Sequence, residues 1–306
     1  MTKICIGCGI KLQNTDKEKL GFTPDLNNPL CMRCFKLKNY GILLDTGKIQ
    51  DNEKLLLSIN KKKGLVIFLV DFLNIYKEAI DLFKNIKLKK VLVITKSDLI
   101  PKNIQINVLV KNIKDIYDIN EEIIVCSAKT KYNLNKIQEL INSESSILFT
   151  GYTNMGKSSL MNTLFHSNIT VSKRKNTTQE FIKKVIAGQV IYDAPGFINE
   201  YYDNIPKNII KPLTYQLKSK YYLKIADINI SFNSDDNITI YIDNNINVSK
   251  RKILEKYNYD IVVPANYDIV IKGLGFIKVT KATYMYINVN KELIELRPSI
   301  IGGNYE

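Results

Sequence analysis

The chain reads as an α/β protein in three parts, and three observations predict this. Short apolar runs, LVIFLV (65–70), VLVI (91–94), IIVC (123–126), SILFT (146–150) and VIYD (190–193), alternate with amphipathic stretches such as NLNKIQELI (133–141) and KSSLMNTLF (157–165). Buried strands separated by helical patterns predict a parallel sheet covered on both faces. Ahead of them, a Gly-, Asn-, Pro- and Asp-rich segment without apolar periodicity carries two Cys-x2-Cys pairs. Behind them, KYYLKIADINISF, NITIYI, YDIVIKGLGFIKVT and TYMYINV alternate β-branched and aromatic residues, which predicts a mainly antiparallel β domain. The boundaries expected are 1–44, 45–204 and 205–306. Within the last part, KRKILEKY (250–257) reads as one short helix.

The first part is too poor in apolar residues to fold on a core of its own, and a metal would supply what is missing. Cys5-x2-Cys8 and Cys31-x2-Cys34 are separated by 22 residues. Each pair offers two thiolates from one tight turn, and two such turns close a tetrahedron around zinc. Gly7 and Gly9 flank the first turn, where the backbone must fold back sharply. The beginning MTKICIGCG has no apolar signal region and no apolar run reaches the roughly 18 residues of a membrane span, so a cytoplasmic protein without a membrane partner is expected. A reducing compartment favours zinc over disulfides. Cys126, at the end of IIVC, reads as a packed strand residue.

The middle part holds the chemistry. FTGYTNMGKSSL (149–160) has the spacing Gly-x4-Gly-Lys-Ser, placed after an apolar run and before a helical pattern. Gly151 and Gly156 let backbone N–H groups turn inward around phosphates, Lys157 reaches the β and γ oxygens, and Ser158, followed by Ser159, starts a helix whose positive end faces the anion. Ser158 is also the expected Mg²⁺ ligand. Downstream, Asp193-Ala194-Pro195-Gly196 ends VIYD. A carboxylate there can hold Mg²⁺ through water, and the Gly196 N–H can meet a γ-phosphate. Between the two, Thr177-Thr178 lies in a basic loop that could close on the metal.

A base-reading element is found upstream rather than downstream. Thr95-Lys96-Ser97-Asp98 ends VLVI. Asp98 can accept from guanine N1–H and N2–H and would repel adenine, which presents an acceptor at N1 and no 2-amine. Lys96 would lie along the base plane, and Ser127-Ala128-Lys129 could offer a backbone N–H to guanine O6. The order along the chain is base reading, base support, phosphate loop, threonine switch, Mg²⁺ switch. This is a P-loop GTPase domain whose chain is circularly permuted, which is allowed because strand ends need only be neighbours in space. Phe197 follows the Mg²⁺ switch where many GTPases have glutamine, so another group is expected to position the attacking water. Asn154, in the phosphate loop, is the candidate for holding a monovalent cation against the phosphates.

These residues resemble the YqeH family of circularly permuted ribosome-assembly GTPases, through CIGCG (5–9), CMRCFKLKNY (31–40), TKSDLIPKN (95–103), GYTNMGKSS (151–159), DAPG (193–196) and IKGLGFI (271–277). The resemblance implies a potassium-stimulated GTPase acting in maturation of the small ribosomal (30S) subunit, with a C-terminal domain similar to RNA- or peptide-recognition modules. The sequence departs from the family at Thr95, where asparagine is usual and a hydroxyl would meet guanine N7. It departs again at Lys175-Asn176-Thr177-Thr178, where Pro-Gly-Thr-Thr is usual; Thr178 is the expected Mg²⁺ ligand. The expected catalytic groups are Lys157, Thr178 and Asn154, and the expected cofactors are GTP/GDP, Mg²⁺, Zn²⁺ and K⁺.

Charge agrees with a nucleic-acid partner. There are 44 Lys and Arg against 30 Asp and Glu, a net of +14. Residues 200–306 hold 14 basic and 12 acidic side chains, so +12 of that excess lies in residues 1–199. Phosphates of rRNA, or a ribosomal protein, are the expected partners. The competing expectation is a nucleotide-gated RNA-binding module with negligible turnover.

Overall fold

The computed structural model describes residues 3, 5, 11–16, 21–32, 52–165, 181–186, 188–198, 206–254 and 257–302. The chain divides into two compact units, Met1–Ser58 and Ile59–Glu306.

In the first unit, Cys5, Leu12, Leu30 and Cys31 form a small buried cluster. The Cys31 amide donates to Cys5 Sγ at 3.2 Å, so the first cysteine of each pair is brought to one place. Backbone bonds from Leu12 N to Lys3 O (2.9 Å), Gln13 N to Gly21 O (3.0 Å) and Thr23 N to Gln13 O (2.9 Å) hold the surrounding turns. Cys8 and Cys34 lie outside the described residues. Helix α1 (Asn52–Asn60) follows.

The second unit begins with a six-stranded sheet. Its strands are β1 (Leu65–Asp71), β2 (Lys90–Thr95), β3 (Ile123–Val125), β4 (Ser146–Gly151), β5 (Ile182–Ile186) and β6 (Gln189–Asp193). They lie in the order β3-β2-β1-β4-β6-β5. All neighbours are parallel except β5, which pairs antiparallel with β6. Every residue of β1 is buried, as its unbroken apolar run requires of a central strand. Helices α2 (Lys77–Lys84), α3 (Ile106–Tyr117), α4 (Leu134–Asn142) and α5 (Lys157–Phe165) contribute buried residues at helical spacing: Ala79, Ile80 and Phe83; Leu109 and Ile113; Ile137 and Ile141; Leu160 and Met161. The apolar runs and the two helical stretches read from the sequence all fall on these elements.

The sheet order explains how a permuted chain can build one site. The strand ending in the phosphate loop, β4, sits between β1 and β6, although β1, β2 and β3 precede it in the chain. The carboxyl ends of the parallel strands therefore carry Asp71, Thr95, Val125, Gly151 and Asp193 along one edge. That edge is where ligands bind in open α/β sheets.

The rest of the unit is two antiparallel five-stranded sheets. One has the order β16-β13-β14-β10-β7 and the other β11-β8-β9-β15-β12. These strands span β7 (Leu213–Leu217), β8 (Tyr221–Ile225), β9 (Ile228–Phe232), β10 (Asp236–Ile242), β11 (Val248–Lys252), β12 (Ile261–Val263), β13 (Tyr267–Ile271), β14 (Gly275–Lys278), β15 (Thr283–Ile287) and β16 (Ile294–Pro298). Leu223, Ile225, Ile230 and Phe232 of one sheet share a core with Ile238, Ile240, Ile269 and Ile277 of the other. The short helix expected at 250–257 is not formed at its start: Lys250, Arg251 and Lys252 belong to β11. Their charged side chains are exposed on an edge strand paired only with β8, a placement that blunts edge-to-edge association.

A buried polar network ties the α/β part to the β part. Arg297, on β16, is 2% exposed, and its guanidinium donates to Asp268 Oδ2 at 3.3 Å, to Ile75 O and to Tyr117 OH. Glu295 accepts from the Lys77 amide at 2.7 Å and from Tyr117 OH at 3.0 Å. Phe72 packs edge-on against Phe276, whose ring also lies 5.0 Å from the Arg297 guanidinium. Burial pushes the Asp268 and Glu295 carboxyls above their ordinary range, and Arg297 offsets part of that shift in both.

Candidate functional site

The phosphate loop is built as its glycines demand. At Gly151 φ is +144°, and a Cβ there would stand 2.3 Å from Leu69 O on the adjacent strand β1, so no larger residue fits. Asn154 also takes a left-handed conformation, φ 66°. Lys157 opens α5, and its ammonium is held by Asp193 Oδ1 and by Ala194 O at 2.5 Å. The lysine of the glycine loop and the Asp193 carboxylate are thus in contact, both largely buried.

The segment after Asp193 lies directly on the loop. Thr153 N donates to Phe197 O at 3.0 Å, and Phe197 N donates to Gly151 O at 2.9 Å. A Cβ on Gly196 would stand 2.9 Å from Thr153 Cγ2, so the close approach depends on glycine. Phe197 is fully buried against Phe68 and Tyr152, with ring centroids 6.0 and 6.1 Å away. It is an anchor of the switch segment, which accounts for an apolar residue at that position.

The base-reading turn docks on the same loop. Thr95 Oγ1 lies 2.5 Å from Met155 O and 3.1 Å from Val70 O. A hydroxyl has one proton, and here it is directed to these carbonyls, a tether between β2 and the phosphate loop. Lys96, in a left-handed conformation at φ 56°, sends its ammonium to Asp71 Oδ2 at 2.8 Å and Asn154 O at 2.7 Å. Its stem passes within 3.8 Å of where a Gly156 Cβ would be. Asp98 accepts from Ser127 Oγ at 2.6 Å and lies 3.8 Å from Lys129 Nζ. One serine and one lysine of the Ser-Ala-Lys stretch therefore hold the Asp98 carboxylate. Cys126, beside them, is fully buried, and burial pushes its thiol up to about 12, as suits a packing residue.

One cavity of about 180 Å³ gathers these groups: Thr95, Lys96, Asp98, Ala128 and Lys129 from the base-reading half face Gly156 and Ser159 from the phosphate half. Two further lining residues, Pro206 and Lys207, were not expected from the sequence. Asp71 was also missed. It accepts from Leu73 N at 3.1 Å and from Asn74 Nδ2 at 2.7 Å while holding Lys96. The only sequence signal was an acid closing the run LVIFLV. Thr178 lies outside the described residues. Among the described residues no cluster of three metal-ligating side chains occurs, and no helix is long and apolar enough to cross a membrane.

The donor set fits a nucleotide with its Mg²⁺. The loop offers glycines at positive φ and one buried lysine, β6 offers the buried Asp193 carboxylate, and Thr153 Oγ1 is buried with no hydrogen-bond partner among the described residues. In the cysteine cluster Cys5 and Cys31 meet, sulfur being the donor type zinc takes, while Cys8 and Cys34 lie outside the described residues.

Comparison with known proteins gives the same reading. Residues 53–201 match the family model for RsgA GTPase, and residues 146–265 match that for a 50S ribosome-binding GTPase. The "uncharacterized protein YqeH" of Bacillus subtilis (strain 168) is 28% identical over 252 residues, covering 72% of this chain and 69% of that protein. The crystal structure of YjeQ from Thermotoga maritima matches at 26% identity with a TM-score of 0.35, over 47% of this chain; the chain spans 52% of that solved protein. The strands ending in Asp71 and Thr95 precede the phosphate loop in the chain and lie beside it in the sheet, in the order β2-β1-β4, and the RsgA match runs through both: the chain is similar to YqeH and to the RsgA GTPases, with its site-forming strands in circularly permuted order.

Proposed function

We propose that the chain hydrolyses GTP to GDP and phosphate and couples this to assembly of the small ribosomal subunit, through rRNA or a ribosomal protein. The observation that carries the reading is the shared cavity, where the Asp98 carboxylate opens beside Gly156 and Ser159 of the phosphate loop. A carboxylate oriented by Ser127 and Lys129 selects guanine; the glycine-cradled loop with Lys157 binds phosphates. We assign Ser158, Thr178 and Asp193 to Mg²⁺, which when bound draws charge from the phosphate oxygens. Gly196 supplies an N–H to the terminal phosphate, and Lys157 exchanges Asp193 for phosphate oxygens. Asn154 is assigned to a K⁺ site on the phosphates. Residues 1–44 form the zinc module, with Cys5, Cys8, Cys31 and Cys34 as ligands; 45–204 form the GTPase domain and 205–306 the recognition domain. The net +14 charge supports an RNA-rich partner, as does the matched model described as ribosome-binding.

The test is GTP hydrolysis in K⁺ and in Na⁺, with and without purified small subunits, with large subunits as the comparison. The reading expects K⁺-dependent turnover raised by small subunits; turnover raised only by large subunits would move the partner assignment. One observation favours a second reading, a nucleotide-gated RNA-binding module with negligible turnover. Phe197 is buried in the core, so the position after Gly196 contributes no water-orienting side chain. Co-sedimentation with subunits that differs between GTP and GDP, without hydrolysis, would establish it.

A further inference from the structure

Two residues of the base cavity belong to neither half of the permuted GTPase. Pro206 and Lys207 line it together with Asp98, Ala128 and Lys129. They stand at the start of the segment that leads into β7 at Leu213. This segment is fixed to the base-reading turn itself: Ile210 N donates to Leu99 O at 2.8 Å, and Ile210 is 2% exposed. Pro206 is buried, whereas Lys207 is exposed although it borders the cavity.

We propose that Pro206 and Lys207 are guanine-nucleotide-binding residues that complete the base pocket, and that base binding is thereby felt directly by the entry strand of the β domain. The inference rests on the GTPase reading above and extends it to the base. Pro206 offers a rigid apolar ring with no N–H to satisfy, which suits the face of a planar base. The Lys96 stem and Pro206 both line this cavity, so a base bound there would lose water against apolar surface. Lys207 carries only donors. At the mouth of a pocket whose reader is the Asp98 carboxylate, it can serve acceptors of the nucleotide that a carboxylate cannot. Because Pro206 and Ile210 are four residues apart on one segment, contact at the first and the Leu99 tether at the second order each other, and linkage makes the effect reciprocal.

The experiment uses the full chain. GDP affinity is measured by calorimetry for wild type, Pro206→Gly, Lys207→Ala and Lys207→Arg, alongside nucleotide-free melting temperatures. Site-resolved hydrogen exchange is followed with and without GDP. The expected result is GDP binding weakened about three- to tenfold in Pro206→Gly and Lys207→Ala, the loss of one modest contact. Lys207→Arg retains affinity, both Lys207 variants keep the wild-type melting temperature while Pro206→Gly melts lower, and GDP slows exchange at the Ile210 amide. GDP binding that is equal in all four proteins, with protection at 151–158 and none at Ile210, overturns the proposal and leaves the GTPase reading intact. Wild type that binds no GDP overturns the GTPase reading, and this proposal with it.

Discussion

Replacing Arg297 by methionine tests whether the α/β and β parts are welded into one cooperative unit. The guanidinium is 2% exposed and its partner Asp268 is fully buried. Methionine keeps much of the side-chain volume and the contact with Phe276, so the loss is chiefly polar. Three interactions disappear: the ion pair with Asp268 at 3.3 Å, the bond to Ile75 O, and the bond to Tyr117 OH at 3.5 Å. The last is at the limit of a hydrogen bond and contributes little. What dominates is the carboxylate left behind. Asp268 retains the Ile300 amide at 3.0 Å but no cation. Removing one partner of a buried pair costs about 3–5 kcal/mol. Urea unfolding followed by circular dichroism reads this, since the chain has no tryptophan. Adding Asp268→Asn should restore part of the loss, because the unpaired charge is then gone. A loss below about 1 kcal/mol, or a double variant as unstable as the two singles added together, would refute the reasoning.

Three further outcomes are expected. Asp98→Asn removes the acceptor of two charge-assisted bonds at about 1.5–3 kcal/mol each, so GDP affinity should fall at least a hundredfold and preference should move to xanthosine nucleotides. Unchanged selectivity would take the base-reading role from Asp98. Zinc should be present at one equivalent in the purified chain, and its removal by chelation should unfold residues 1–44 while nucleotide affinity stays. Loss of GDP binding on chelation would show that the zinc module and the GTPase domain are not separable. Glu295→Gln should change how stability depends on pH. Burial holds the folded Glu295 carboxyl above its ordinary value of 4.5. The stability it contributes is therefore complete below 4.5 and lost as pH rises through the folded value. Wild type should thus lose stability relative to the glutamine variant across the interval just above pH 4.5; a flat or rising difference would contradict the burial argument.

What the sequence made legible was what is local. Runs such as LVIFLV and VLVI could be read as buried strands because a central parallel strand is apolar on both faces, and β1 is buried throughout. The phosphate loop, Asp98 and Ser127 could be read because their chemistry requires a residue type at a short spacing. Asp71 could not, since its partner Lys96 acquires meaning only when β1 and β2 lie side by side. The Asp268–Arg297 pair was hidden for the same reason, as was the tie of Ile210 to Leu99. Thr95 shows the limit from the other side. The motif suggested a place near the base, and only packing reveals its bond to the phosphate loop. At 250–252, the charge-rich composition resembled a surface helix, and pairing with Tyr221–Leu223 decided for a strand.

Permutation changes what the nucleotide can act upon. The sheet order keeps every strand end beside its proper neighbour, so the site itself owes nothing to where the chain is cut. The exits do depend on the cut. The chain leaving Asp193 runs across the phosphate loop through Gly196 and Phe197, and the same chain is later tied to the base-reading turn at Ile210 before entering β7. A second route begins at Asp71, which holds Lys96 and caps the turn Phe72–Asn74; the next carbonyl, Ile75 O, receives Arg297 from β16. A ligand shifts a conformational equilibrium only through contacts that differ between the states. Both routes start at side chains that a guanine nucleotide would compete for, Lys157 with Asp193 and Lys96 with Asp71. Each ends on the β domain, so a nucleotide that redistributes these pairs must redistribute the contacts that position that domain.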